Sequence, residues 1–264
     1  MSSNPIILTS TYHDPEFRLK QELKSALPKI KLLFKKRIVC LTPAMNEEST
    51  AFLKEEGFIV RTCQTDRRID TYKLAYQTAI ENIKNSVMER IMYVDFDRLI
   101  HWINLYPDEL QKTINNIDID NLHVGRTSRA FNTHPATQKE TEIIVNEFGS
   151  KILGFNETKD IISVCHVITK ELAEKILSLR NKTNSGFYCT WPILVWSWAD
   201  SNKYIEVEGL EWETPDRYKN DIVNKGYKKW LENYLNPSEW RIRVDLLHDC
   251  LLELLNLTNI KLNM

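Results

Sequence analysis

Residues Arg90–Arg98 read RIMYVDFDR. Ile91, Met92, Tyr93 and Val94 form a strand-like apolar run that ends directly in two carboxylates, Asp95 and Asp97. A run without polar alternation suits a strand covered on both faces, as in a parallel sheet. In open α/β sheets, ligands gather outside the carboxyl ends of such strands. Where the chain turns at that end, Asp95 and Asp97 can converge on one hard cation. Oxygen-only ligation suits Mg²⁺ or Mn²⁺, which keep waters and take their remaining ligands from a substrate diphosphate. The plainer reading is a solvated acidic turn, because Asp-x-Asp is a common pair.

The flanking sequence supplies the context of a parallel sheet. Upstream, Ile6–Thr9 reads as a strand, followed by Asp14 and Pro15 as the cap and first position of a helix whose stripe is Phe17, Leu23 and Leu27. Arg37–Leu41 is a second strand. Asn46-Glu47-Glu48 then caps a helix with an acidic first turn that stops at Gly57, and Phe58–Cys63 is a third strand. Ile69, Tyr72, Tyr76, Ala79, Ile80 and Ile83 recur at helical spacing, which predicts a helix over Ile69–Asn85. Downstream, strands are expected at Leu122–Gly125, Ile161–Ile168 and Tyr204–Trp212, and helices at Gln138–Phe148 and Lys170–Leu179. A closing helix over Trp240–Leu257 would carry Trp240, Val244, Leu247, Leu251 and Leu254 on one stripe. Alternating strands and helices predict an α/β fold with a mostly parallel central sheet and helices on both faces, a Rossmann-like three-layer sandwich.

Composition narrows the partners. The 35 basic and 36 acidic residues leave a net charge of -1, which gives no general reason to expect nucleic acid or an anionic membrane. Five widely spaced cysteines without a Cys-x-x-Cys argue against a disulfide framework or zinc site, so a reducing, cytoplasmic setting is expected. No segment approaches the length of a membrane span, and the first residues, MSSNPIILTSTYHD, lack a cleavable leader pattern.

Three turns fall on the side of Asp95 and Asp97. Thr9-Ser10-Thr11-Tyr12-His13-Asp14 offers hydroxyls and an aromatic face for a base. Thr42-Pro43-Ala44-Met45-Asn46-Glu47 follows the second strand, and Gln64-Thr65-Asp66-Arg67-Arg68 follows the third. Arg67 and Arg68 ahead of a helix supply the fixed donors and positive charge that a pyrophosphate needs, although two arginines there also suit a solvated surface.

The order of elements, with YVDFDR as its sharpest motif, resembles the GT-A fold glycosyltransferases over roughly the first 180 residues. The resemblance implies a single domain across 1–264, with about 1–120 as a nucleotide-binding half and about 121–264 as an acceptor-side half closed by the C-terminal helix. It implies a nucleotide-diphosphate sugar donor and Mn²⁺ or Mg²⁺. Thr9, Thr11 and Tyr12 would lie near the base, Arg67 and Arg68 near the phosphates, and Asp95 and Asp97 at the metal, where Asp97 would also be catalytic. Many inverting members carry an acidic pair at an acceptor-side helix, and no clear copy is found here.

Further features fit the same chemistry. The loop Gly125–Arg129 and its continuation to Pro135 are basic and polar, so Arg126 and Arg129 are expected to face the donor or an anionic acceptor; an ordinary exposed loop is the alternative. Trp191, Trp196 and Trp198 could line an acceptor pocket, and core packing explains them equally well. Glu213 and Asp216, after the Tyr204–Trp212 strand, could supply a third metal ligand or a base for the acceptor. His166 and His248 could ligate, though lone histidines are more often packing residues. Competing readings are a Mg²⁺-dependent phosphatase of haloacid dehalogenase type, whose aspartates would follow the first strand, and a nucleotidyltransferase of related fold, which would want glycines where this chain has TSTYHDP. A non-catalytic nucleotide- or glycan-binding protein is the remaining alternative. With seven glycines in the chain, side-chain and metal contacts to phosphate are favoured over a backbone cradle.

Overall fold

The computed structural model describes residues 6–84, 89–115 and 117–261, with side chains as far as 257. Its elements are β1 (Ile6–Tyr12), α1 (Lys20–Leu33), β2 (Lys36–Leu41), α2 (Glu47–Glu55), β3 (Ile59–Thr62), α3 (Arg68–Glu81), β4 (Arg90–Val94), α4 (Phe96–Leu105), α5 (Pro107–Ile114), β5 (Asn121–Arg126), α6 (Ser128–Asn132) and α7 (Ala136–Leu153). They continue with β6 (Cys165–Ile168), α8 (Lys170–Ser178), α9 (Phe187–Trp198), β7 (Asn202–Val207), α10 (Lys219–Lys225), α11 (Tyr227–Leu231) and α12 (Pro237–Lys261). The expected end of the third helix at Asn85 lies outside the described residues.

One seven-stranded sheet runs in the order β3-β2-β1-β4-β6-β5-β7. All pairings are parallel except those of β6, which runs antiparallel to both β4 and β5. The expected α/β architecture is therefore present. The strands are apolar on both sides because both sides are covered. Leu8, Val39, Leu41, Met92 and Val94 pack with α1, α4 and α5 through Leu23, Ile30, Leu99 and Leu110. Ile7, Ile38, Cys40, Ile91 and Tyr93 pack on the other face with α3, α8 and α9 through Tyr76, Ala79, Leu172 and Trp191. Successive strand side chains alternate between the two clusters, as a pleated strand requires. A third cluster, with Val145, Ile193, Cys250 and Leu254, fastens α12 to α7 and α9. All five cysteines are free and buried. Among the described residues, no helix is long and apolar enough to cross a membrane.

Several local expectations change. Asp14 caps a turn rather than α1: its carboxylate accepts the backbone N–H groups of Arg18 and Leu19, and the helix starts only at Lys20. By contrast, Asn46 caps α2 as expected, accepting from Ser49 N at 2.8 Å, and Gly57 ends that unit at φ 81°. The strand expected from Ile161 begins only at Cys165, because Asn146 Oδ1 captures the N–H groups of both Ile161 and Ile162. The strand expected to reach Trp212 stops at Val207, where the Glu109 carboxylate accepts the N–H groups of Glu208 and Gly209 and turns the chain. On α12, Leu254 is buried and Leu247 packs against the third cluster as expected, Cys250 and Glu253 join the buried side, and Val244 is exposed instead.

Candidate active site

The chain runs outward from β1 to β2 and β3, then returns to place β4 on the other side of β1. This reversal parts the loops at the carboxyl ends of β1 and β4, and in doubly wound sheets that opening is where ligands bind. A cavity of about 390 Å³ lies there. The end of β1 contributes Thr11, Tyr12 and His13, and the turn after β2 contributes Thr42 and Ala44. Asp66 and the first turn of α3, with Arg68, Thr71 and Tyr72, form a second wall. The β4–α4 junction supplies Asp95, Asp97 and Arg98, α9 supplies Tyr188, and a late 3-10 turn at Thr214–Tyr218 brings Glu213 and Arg217.

Asp95 and Asp97 are placed by the start of α4. Asp95 occupies the N-cap position with extended backbone, and Asp97 lies in the first turn, where an acidic side chain is favoured by the helix dipole. Asp97 Oδ1 accepts the N–H of Arg98 at 2.9 Å. Asp95 Oδ1 accepts three hydroxyls: Tyr72 at 2.8 Å, Tyr93 at 2.8 Å and Thr11 at 3.3 Å. The Thr11 and Tyr93 hydroxyls also meet at 2.8 Å. Burial raises the Asp95 carboxyl above the ordinary carboxylate range and nearby Asp97 adds to the rise, while Arg98 and the Tyr72 and Tyr93 hydroxyls oppose it. With one oxygen engaged three times, the carboxylate is fixed in rotation and Oδ2 is left to a ligand.

The cationic wall is built around the same carboxylates. Arg217 Nη2 donates to Asp97 Oδ2 at 2.5 Å. Buried Arg98 donates to the Ser163 carbonyl at 2.7 Å and holds its Nε 3.5 Å from Glu213 Oε2. Burial alone would lower the Arg98 guanidinium, but Glu213 and Asp95 outweigh it and raise its pKa. Burial likewise raises the Glu213 carboxyl, Asp97 adding to the effect. Glu213 Oε2 and Arg217 Nε are buried without a hydrogen-bond partner. Unsatisfied buried polar atoms are rare in folded proteins, and here a carboxylate oxygen and a guanidinium N–H are left over in the wall of one cleft.

Among the described residues, no group of three or more His, Cys, Asp or Glu is placed to hold a metal ion unaided. The donor set nevertheless fits a hard cation that keeps waters and binds one or two carboxylates plus phosphate oxygens. Asp95 Oδ2 is open to such an ion, whereas Asp97 reaches it only if Arg217 releases Oδ2.

Of the individual candidates from the sequence, Thr11, Tyr12, Arg68, Asp95, Asp97 and Glu213 converge on the cavity, joined by His13, Thr42, Ala44 and Asp66 from the same three turns. The others do not. Thr9 is fully buried beneath it, bonded to the Ala75 carbonyl. Arg67 is exposed, 4.0 Å from Asp70. Arg126 is buried in ion pairs with Asp160 and Glu142 at 2.6 and 2.7 Å, with its guanidinium over Phe131. Arg129 pairs with Glu208 and Glu211. Asp216 turns away to His101, at 2.7 Å, so it acts on the placement of the late segment rather than inside the cleft. Trp191 is core, packed edge-on against Tyr76, and Trp196 packs against Phe155. His166 is bonded to Tyr76 and pushed down to about 3 by burial, and His248 is exposed on α12.

The sequence reading missed Tyr72, Thr71, Tyr188, Arg98 and Arg217 as site residues. Tyr72 was legible only as a stripe position, and Tyr188 only as part of an apolar segment. Arg98 follows Asp97 directly, so it was in plain view next to the carboxylates.

No family model and no curated protein matches the chain. Among solved structures, 4-diphosphocytidyl-2C-methyl-D-erythritol synthase from Anaerococcus prevotii superposes with a TM-score of 0.43 and 10% identity, over 83% of this chain and 98% of that one.

Proposed function

We propose that the protein is a glycosyltransferase that takes a nucleotide-diphosphate sugar together with Mn²⁺ or Mg²⁺. The observation that carries the reading is the charge make-up of the cleft at the β1/β4 reversal. Four carboxylates (Asp66, Asp95, Asp97, Glu213) face three arginines (Arg68, Arg98, Arg217), which sums to one negative charge. A diphosphate entering alone would meet net repulsion. A diphosphate entering with a divalent cation brings the charge that Asp95 and Asp97 need, and presents oxygens to the arginines.

In this reading the hydroxyl end of β1 and the Thr42 turn take the nucleoside, and residues from about 121 onward form the acceptor side. Asp95 and Asp97 would hold the cation, which when bound would supply Lewis-acid stabilisation to a departing diphosphate. The protein's own part is preorganisation. Tyr72, Tyr93 and Thr11 fix the Asp95 carboxylate, and Arg68 and Arg217 offer guanidinium N–H groups to the oxygens on which negative charge grows as the anomeric bond breaks. Glu213 Oε2, ion-paired with Arg98 at 3.5 Å but without a hydrogen bond, would serve as a third oxygen donor or a base.

The test is thermal unfolding with UDP, GDP and their sugars, with and without Mn²⁺, followed by assay of free nucleotide. A metal-dependent rise in melting temperature with one nucleotide, then release of that nucleotide from its sugar, is the expected result. Stabilisation without turnover would identify a binding protein. Release of inorganic phosphate from phosphomonoesters, with no nucleotide effect, would identify a phosphatase.

A further inference from the structure

A second cavity, of about 160 Å³, adjoins the first and shares Arg68, Asp95, Arg98 and Tyr188 with it. Its separate wall comes from α7, α12 and the segment before β6, chiefly Gln138, Glu142, Val164 and Arg243. We infer that this second cavity binds the acceptor, and that the acceptor presents a single polyhydroxylated ring to it. The inference rests on the glycosyltransferase reading and replaces the tryptophans of α9 as the acceptor contact.

Three observations carry it. The first is position: one row of side chains, Asp95, Arg98 and Tyr188, forms the boundary of both cavities, so ligands in the two meet across that row. The second is chemistry. Gln138 Nε2 donates to Glu142 Oε1 at 2.7 Å, leaving its own carbonyl oxygen free, and Arg243 spends Nε on Glu239 at 3.0 Å, leaving its terminal N–H groups. Glu142 is neutralised from behind by Arg126. A lining that combines free amide and guanidinium groups with the Tyr188 ring and the Val164 side chain matches a molecule that carries both hydroxyls and C–H faces. The volume falls below the roughly 300–1,000 Å³ of sites for drug-sized ligands, which suits one ring or the terminal ring of a longer chain.

The third observation is backbone strain at the wall. Val164 has φ 58°, a left-handed conformation that a β-branched residue rarely adopts. Its neighbours on both sides hold it there: the Ser163 carbonyl accepts from Arg98, and Cys165 begins β6 in register with Val94. Strain of this kind persists where surrounding contacts impose it, and it concentrates at ligand sites.

The test uses the full chain with Mn²⁺ and whichever of UDP or GDP raises its melting temperature, and reads saturation-transfer NMR signals from the methyl α- and β-glycosides of glucose, galactose and mannose. At least one glycoside is expected to give a signal. Arg243→Ala and Gln138→Ala should each weaken its affinity about tenfold, the cost of losing a hydrogen bond that involves a charged or buried group. The nucleotide-induced melting shift, measured on the same samples, reports separately on the first cavity. Binding of nucleotide with no glycoside signal, or a signal that both variants leave unchanged, overturns the inference while leaving the donor reading in place. If neither nucleotide shifts the melting temperature, the donor reading fails, and the glycoside titration is run on the protein alone. A signal there that Arg243→Ala weakens still supports the cavity, and its absence removes the cavity too.

Discussion

Arg126→Met separates two roles for an arginine that the sequence places at a strand end beside a basic loop. In the structure its side chain is fully buried. Nε and Nη2 donate to the two Asp160 oxygens at 2.6 and 2.8 Å, and Nη2 also donates to Glu142 at 2.7 Å. Methionine keeps much of the side-chain volume over Phe131 but leaves two buried carboxylates without their cation. Breaking a buried ion pair from one side costs about 3–5 kcal/mol. At about 2–4 °C per kcal/mol for a chain somewhat smaller than this one, the melting temperature should fall by roughly 10 °C. The pH dependence has a definite sign. Burial alone would raise the Asp160 carboxyl, but the Arg126 pair outweighs it and holds the pKa below the ordinary value. Its contribution is thus present above the unfolded value of about 3.9 and is lost as pH falls through the depressed folded value. Without Arg126 the burial effect is unopposed by the guanidinium, protonation relieves the variant, and the stability gap to the parent should narrow toward pH 4. Thermal and urea unfolding followed by circular dichroism at pH 7 and pH 4 measure both quantities. A variant within about 1 kcal/mol of the parent at pH 7 that has lost nucleotide binding would refute the structural role and restore Arg126 to the donor site.

Other substitutions probe the cleft and its supports. Asp97→Ala should abolish the Mn²⁺-dependent part of the nucleotide melting shift and cost about 1–3 kcal/mol of unfolding free energy, because it leaves the mostly buried Arg217 guanidinium without its hydrogen-bond partner; a retained metal effect would exclude Asp97 as a ligand. His101 lies between Asp216 and Glu211, at 2.7 and 3.2 Å; burial alone lowers its pKa, but the two carboxylates prevail and raise it. Its stabilising contribution should be complete below the unfolded value of about 6.5 and lost as pH rises through the raised folded value. In His101→Gln the melting temperature should therefore lose that decline between pH 6 and 9, and an unchanged profile would exclude the imidazole as its source. Gly209→Ala would put a Cβ 1.8 Å from Trp102 Cδ1, in a core position that cannot yield, and should cost about 1–3 kcal/mol by the same unfolding assay; a neutral result would mean that the turn can move off Trp102.

The legible part of the fold is the part governed by local chemistry. Runs such as IILT, RIVCL and RIMYV are apolar throughout because each strand is covered twice, and Asn46 and Gly57 mark helix ends through a side-chain cap and a positive φ. The helix from Phe96 to Leu105 escaped notice because Asp95 and Asp97, taken as ligands in a turn, also serve as its N-cap residue and acidic first turn. The shortened strands at Ile161 and Val207 were hidden for a related reason. In each case a distant side chain, Asn146 or Glu109, takes the backbone N–H groups that a ladder would have used, and no local pattern reports a partner fifteen or a hundred residues away.

The position of Arg126 away from the cleft has a geometric origin. Because β6 is antiparallel to both of its neighbours, β5 and β7 point the same way as β4, and their carboxyl ends lie along the same edge of the sheet. Arg126 therefore lies on the same edge of the sheet as the cleft. What alternation of strand and helix does not encode is order along that edge: β6 inserts between β4 and β5, so Arg126 stands two strands from the β1/β4 opening and finds Asp160 instead of the cleft. The segment after β7 starts one strand further out, yet Glu213 and Arg217 reach the cleft, because Glu109 turns the chain at Gly209 and His101 on α4 fastens Asp216. Asp216 and Glu213 thus divide the two roles that a late carboxylate could play. One anchors the segment to α4, and the anchor is what aims the other, three residues earlier, at Arg98.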